Sequence, residues 1–193
     1  MTQQEIMDVL RKCQVLLEGH FQLTSGKHSN RYMQCAKLFE HPIESGALCG
    51  ELAERLRQKG LGDVDLVVGP ALGGIIMAYQ VAECLGVRNI FAERQEGEMT
   101  FRRGFVVQPG EKALICEDVV TTGGSVKEVI KLLQAAGAQV MGVASIVDRS
   151  AGTVDFGVPF QALVSVDFDV YAPEQCPLCA AGGQAEKPGS RKI

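Results

Sequence analysis

Apolar and polar positions along the chain switch repeatedly between a helical and a strand period. Over residues 3–17, apolar Ile6, Val9, Leu10, Cys13, Leu16 and Leu17 recur three and four apart, which predicts an amphipathic helix. Residues 19–34 alternate and are rich in turn formers, which predicts a short hairpin outside the main sheet. Pro42 suits the first residue of a second helix, whose apolar stripe runs through Leu48, Cys49, Leu52, Ala53 and Leu56 and stops at Gly60 and Gly62. Val64–Val68 is an apolar run with the length of a buried strand. A glycine-rich connection, 69–74, leads from it into a helix carrying Ile75, Ile76, Tyr79, Ala82 and Leu85. Asn89–Glu93 reads as a further strand. Residues 94–104 are polar without a period, so a long loop is expected there, with Val106 and Val107 resuming a strand before Pro109-Gly110. A buried strand over Ala113–Cys116 is followed by a helix with Val126, Val129, Ile130, Leu133 and Ala136, ended by Gly137. Strands over Val140–Val147 and Gln161–Val166 close the pattern, with Phe168–Tyr171 behind them.

Strands alternating with helices predict an α/β fold: a central, mostly parallel sheet flanked by helices, with a small N-terminal hood. A single domain is expected over residues 1–193, with the hood at roughly 1–40, the core at roughly 41–172 and a tail at roughly 173–193.

The stretch from 113 to 125 carries the most chemistry. An apolar strand ends on two acids, Glu117 and Asp118; Val119, Val120, Thr121, Thr122, Gly123, Gly124 and Ser125 follow, and then a helix begins. In open α/β sheets, ligands sit beyond the carboxyl ends of the strands, where this loop falls. The first turn of a helix has unpaired N–H groups and the positive end of the peptide dipole, which favour a phosphate. Glycines let backbone wrap the anion, and three hydroxyls add donors. No lysine stands in the loop, unlike the triphosphate-binding loops, so a monophosphate held by amides and hydroxyls is expected. The acids would accept hydrogen bonds from sugar hydroxyls or help to place a metal. The second strand–glycine loop–helix unit, 69–74, is weaker, because such connections are common.

Composition changes this picture little. Of the 193 residues, 46% are hydrophobic and 22% charged, as in ordinary globular chains, and a net charge of −4 gives no reason to expect nucleic-acid binding. No stretch reads as a signal peptide or spanning helix; the longest uncharged run, Leu66–Ala82, is broken by Gly-Pro and Gly-Gly. Seven scattered cysteines then imply reduced thiols in a cytoplasm. Cys176-Pro-Leu-Cys179 offers two metal ligands or a redox pair. His20, His28 and His41 are distant in sequence, so an incidental or structural role is expected, with a metal shared between subunits as the alternative. A frayed tail is expected after it.

Glu-Asp-Val-Val-Thr-Thr-Gly-Gly-Ser resembles the phosphoribosyl-pyrophosphate (PRPP) signature of type I phosphoribosyltransferases. Residues 19–34 resemble the hood of the family's orotate branch, as found in bacteria and archaea. The resemblance spans residues 19 to about 179. It implies transfer of ribose 5-phosphate from PRPP to orotate, giving orotidine 5′-phosphate and diphosphate, in pyrimidine nucleotide (UMP) synthesis. It implies that Glu117 and Asp118 hold the ribose hydroxyls and that residues 119–125 cradle the 5′-phosphate. Thr121 and Arg149 would contact orotate; without the family, Arg149 is equally readable as a surface partner of Asp148. Residues 94–104 become a lid over the leaving diphosphate. Family lids carry lysines and a histidine, which this one lacks; Arg94 matches the lid arginine, and Arg102 and Arg103 stand in as the other cations. Gly73 occupies a place where many relatives carry a lysine, so that loop is expected to supply backbone only. The resemblance further implies a magnesium cofactor held chiefly by substrate oxygens and water, with no dedicated protein ligands, and a homodimer, compatible with exposed Phe21 and Tyr32. Neither a membrane nor a nucleic acid is an expected partner. Two rival readings are a purine-base phosphoribosyltransferase and a non-catalytic regulator that senses PRPP.

Overall fold

The structure is a computed structural model that describes residues 1–23 and 25–188; Thr24, within the expected hood hairpin, and the last part of the expected tail, 189–193, lie outside the described residues. In chain order the elements are helix α1 (Gln3–Lys12), strands β1 (Leu16–Gln22) and β2 (His28–Met33), helix α2 (Pro42–Gln58), strand β3 (Leu66–Pro70), helix α3 (Gly73–Leu85), and strands β4 (Arg88–Gln95), β5 (Glu98–Phe101) and β6 (Lys112–Val120). Helix α4 (Gly124–Ala135), strands β7 (Gln139–Asp148), β8 (Phe160–Ser165) and β9 (Val170–Tyr171), and the short helix α5 (Pro177–Ala180) complete the order.

Six strands form the main sheet in the order β5-β4-β3-β6-β7-β8. All neighbours are parallel except the β4–β5 hairpin. Because successive side chains of a strand point to opposite faces, each central strand feeds two cores. Val67, Leu114, Cys116, Ala144 and Ile146 pack against α2 and α3 through Leu48, Leu52, Met77 and Val81. Leu66, Val68, Ala113, Ile115 and Val143 pack against α4 through Val126, Val129, Ile130 and Leu133. These leucines, isoleucines and valines are almost wholly buried, and each contributes about 1.5–3 kcal/mol of burial free energy. The expected α/β sheet is thus present, with helices on both faces.

Several expected boundaries move. Helix α1 starts on a capping box, in which Thr2 and Glu5 satisfy each other's backbone N–H. It ends at Lys12 and not at Leu17. Gln14 adopts the left-handed conformation (φ 54°), and the N–H groups of Gln14 and Val15 turn back to the carbonyls of Arg11 and Leu10. Leu16 and Leu17 begin β1. Residues 94–104 are an antiparallel hairpin, not an unstructured loop: β4 and β5 pair from Ala92↔Phe101 to Gln95↔Glu98. The turn at Glu96-Gly97 has positive φ at both residues (53° and 92°), which matches the twist of a hairpin. Val106 and Val107, expected in a strand, lie in the irregular connection to β6.

The hood is a three-stranded antiparallel sheet, β1-β2-β9, so the chain's late segment Val170–Tyr171 returns to pair with its early hairpin. Ser29 Oγ donates to the Asp169 carbonyl at 2.9 Å, fixing that return. Phe21 is buried and Tyr32 half-buried, so neither is the exposed aromatic expected for a subunit contact. Nor is the described part of the tail frayed. Glu186 N–H donates to the His20 carbonyl at 2.8 Å, and Gln22 N–H donates to the Glu186 carbonyl at 2.7 Å.

Candidate active site

The ends of β6 and β7 and the starts of α3 and α4 meet around one crevice. The β6 strand is longer than its apolar run suggests and carries both acids within its last residues. Glu117 and Asp118 are strand neighbours whose carboxyls stay within reach of each other but meet different surroundings. Glu117 lines a cavity of about 350 Å³ with Thr121, Thr122, Gly123, Gly124 and Ser125; Val119, Val120 and Arg94 border the same space. Asp118 is buried and lies against the start of α3. A β-carbon at Gly73 would stand 2.6 Å from Asp118 Oδ1, so only glycine there leaves the carboxylate its seat. A side chain at position 73 would require the Asp118 carboxylate to move.

The loop geometry follows from Gly123. It caps α4 with φ 70°, a left-handed turn, and a β-carbon there would run into Phe156 and Val154 at 2.7 and 2.9 Å. Gly124 opens the helix with nothing but Thr122 Oγ1, 3.8 Å from where its β-carbon would be. The cap lacks a side-chain acceptor, so the helix's first N–H groups remain available to an anion.

The acids titrate abnormally. Burial, reinforced by the adjacent Asp118 carboxylate, pushes the Glu117 carboxyl well above the usual range. Burial also raises Asp118, against the opposing pull of hydrogen bonds from Glu117 and from the Val119 N–H, which donates to Asp118 Oδ1 at 2.9 Å. Two largely buried, adjacent carboxyls therefore hold a proton until a cation or hydroxyl donors arrive.

Arg149 stands beside this loop, because its N–H donates to the Val120 carbonyl at 2.8 Å and so extends the β6–β7 pairing past Asp148. Its guanidinium is half-buried and lies over the Phe168 ring at 5.0 Å. Burial pulls its pKa down from the arginine value, though not enough to discharge it. The surface pairing with Asp148 does not form. Asp148 instead accepts from the Ser150 N–H at 2.8 Å, and among the described residues Arg149 has no carboxylate partner. A half-buried guanidinium flanked by an aromatic face can receive a planar carboxylate through its two-pronged edge.

The three arginines expected to serve a lid divide. Arg94 lines the cavity and is held by Glu128 at 2.6 Å and by the Gly97 carbonyl at 2.7 Å. Arg102 and Arg103 turn to Glu93, at 3.7 and 3.1 Å, away from the cavity lining. Two contributors were not foreseen from sequence. Glu128 sits one turn into α4, where an acid facing an expected phosphate pocket was the available signal. Phe168 follows the last predicted strand, and its aromatic ring so close to a strand-end arginine in the fold gave no signal in one dimension.

Residues 37–156 match the family model described as phosphoribosyl transferase domain. The chain is 57% identical over 191 residues to the orotate phosphoribosyltransferase of Heliobacterium modesticaldum, covering 99% of this chain and 100% of that one. It is 60% identical over 188 residues to that of Thermotoga petrophila, covering 97% and 99%. Among solved structures, the UMP synthase of Leishmania donovani superposes with a TM-score of 0.70 at 26% identity, over 84% of this chain and 36% of that longer one. The chain belongs to the phosphoribosyl transferases and, within them, to the orotate phosphoribosyltransferase family.

Proposed function

We propose that the chain transfers ribose 5-phosphate from PRPP to orotate, yielding orotidine 5′-phosphate and diphosphate. The observation that carries this reading is the cavity bounded by Glu117 and the Thr121–Ser125 loop at the start of α4. Backbone N–H groups and hydroxyls of that loop suit the 5′-phosphate, and Glu117 and Asp118 suit the ribose hydroxyls. Arg149, without a carboxylate partner among the described residues and bonded through its N–H to Val120, the neighbour of Thr121, suits the orotate carboxylate. Orotate is already anionic at neutral pH, so the chain needs no strong base. Its task is to align donor and acceptor, neutralise the departing diphosphate and exclude water. Arg94 is placed to meet diphosphate oxygens by exchanging its Glu128 partner for them; Arg102 and Arg103 would have to leave Glu93 to do the same.

Magnesium fits the donor set of the crevice. Glu117 lines the phosphate pocket and Asp118 adjoins it in the chain; the two carboxyls provide hard oxygens but no full cage, which leaves most of an octahedral shell to substrate oxygens and water. Bound with the donor, the ion would neutralise leaving-group charge. A homodimer is supported by α3, where Ile76 and Tyr79, with Leu72 at the helix cap, are exposed apolar or aromatic side chains at helical spacing. That surface takes over the argument that buried Phe21 cannot make. Seven free thiols suit a reducing cytoplasm, and no helix among the described residues is long and apolar enough to cross a membrane.

Incubation with PRPP, magnesium and single bases tests the reading. Consumption of orotate with release of diphosphate is expected. Turnover of adenine or hypoxanthine instead, or PRPP binding without turnover of any base, would contradict it.

A further inference from the structure

Four metal-ligating side chains that do not line the PRPP cavity converge on the hood. His20 lies on β1, His28 on β2, Cys176 immediately before α5 and Cys179 within it. The fold thus answers the objection that the histidines are remote from the cysteine pair: Cys176 and His20, 156 positions apart, are 3.5 Å apart between Sγ and Nε2. His20 Nε2 and His28 Nδ1 are 3.0 Å apart, Cys179 Sγ is 3.6 Å from His20 Nε2, and Cys179 Sγ is 3.2 Å from His28 Nδ1. All four ligand atoms lie within 4.8 Å of one another.

These distances have a meaning. A tetrahedral zinc ion with bonds of about 2.0–2.1 Å to nitrogen and about 2.3 Å to sulfur places its ligand atoms about 3.4–3.8 Å apart; the two cysteine sulfurs stand at that separation from His20, and the two contacts of His28 are shorter, so His28 shifts slightly outward when the ion enters. Four hydrogen-bond partners would not need to meet at one point, whereas four ligands of one ion must. Two thiolates with two imidazoles are a borderline-soft set that suits zinc and not magnesium or calcium. Cys176 and His28 are almost fully buried, and Cys179 and His20 partly, so the centre is enclosed. Each ligand pair also comes from a short, well-fixed unit: the β1–β2 hairpin and a CxxC at a helix start.

We infer that His20, His28, Cys176 and Cys179 bind one structural zinc ion within a single chain. All four protein positions are filled, so the site has no open coordination position for catalysis. Its effect is to lock the N-terminal hairpin to the C-terminal segment. That lock reinforces the β2–β9 pairing and the Glu186 bridge, and so holds the hood over the crevice where Arg149 and Phe168 stand.

The test is elemental analysis of the purified full chain, followed by cobalt replacement. One zinc per chain is expected. The cobalt form should show the intense visible d–d bands of a tetrahedral site together with a sulfur-to-cobalt charge-transfer band. Cys179→Ser and His28→Asn should each lose the metal and that spectrum, while Cys84→Ser, a thiol outside the cluster, should keep both. Should either cluster variant fail to fold, the wild-type stoichiometry and spectrum still decide. Wild-type protein that holds no zinc after incubation with it under reducing conditions would overturn the inference. So would copurified iron, or a cobalt spectrum without thiolate bands.

Discussion

Gly123 and Gly124 are neighbours in one loop, yet the structure assigns their hydrogens different work, and an alanine at each separates fold from phosphate binding. Gly123→Ala places a methyl group in a left-handed turn at φ 70°, 2.7 Å from the Phe156 ring and 2.9 Å from Val154. The left-handed conformation costs a residue with a β-carbon about 1–2 kcal/mol. Forcing a methyl into packed side chains costs about 1–3 kcal/mol more. The sum, about 2–5 kcal/mol, corresponds to a fall in Tm of roughly 5–15 °C for a chain of this size. Gly124→Ala meets nothing closer than 3.8 Å and sits at ordinary helical φ. The unliganded fold should hold its Tm to within a degree or two, or gain slightly, because alanine is the better helix former. The added methyl stands where a phosphate must approach the backbone, so the KM for PRPP should rise about tenfold or more, equivalent to one charged hydrogen bond. Thermal unfolding without ligand and initial rates at varied PRPP read the two effects separately. A Gly123→Ala protein with unchanged Tm would refute the packing argument. A Gly124→Ala protein with unchanged PRPP kinetics would refute the phosphate seat.

Three further predictions rest on the acids and on Arg149. Asp118→Asn should lower kcat/KM for PRPP about 10–100-fold, the loss of a charged acceptor, while Tm stays level or rises because a buried carboxyl has been removed; a matching loss of stability would point to a structural role instead. Arg149→Ala should raise the KM for orotate about 10–100-fold and leave that for PRPP nearly unchanged, and Arg149→Lys should restore only part, since the fork is lost; equal effects on both substrates would contradict the carboxylate assignment. Glu117 is held protonated by the fold, whereas the unfolded chain releases that proton near the ordinary value of 4.5. The unfolded state therefore binds fewer protons above that pH, and this group's contribution to stability falls as pH rises until the raised folded pKa is reached. Urea unfolding from pH 6 to 8 should show Glu117→Gln more stable than wild type by on the order of 1 kcal/mol or more, with the gap widening toward pH 8; a constant gap would contradict the buried proton.

Much of the site is local in sequence and so could be read there. An apolar strand, an acid pair, a Thr/Gly loop and a helix follow one another within residues 113–137, and the closing Gly137 ends α4 with φ 81° where it was expected. The hairpin over residues 94–104 was obscured because its strands are polar, although Met99 and Phe101 alternate and pack against the α4 core. The end of α1 carries no helix-stop residue, since Gln14 takes a conformation usually given to glycine. Contacts between distant segments left no local trace: Gly73 beneath Asp118, Phe168 under Arg149, and the two histidines beside Cys176 and Cys179. These depend on which strands become neighbours, and periodicity does not encode that.

A crystal structure of the chain with bound PRPP probes the anion pocket most directly. The 5′-phosphate should lie within hydrogen-bond reach of the Thr122–Ser125 amides, with the ribose hydroxyls on Glu117 and Asp118. A donor bound elsewhere, with that helix start unliganded, would contradict the assignment of the site.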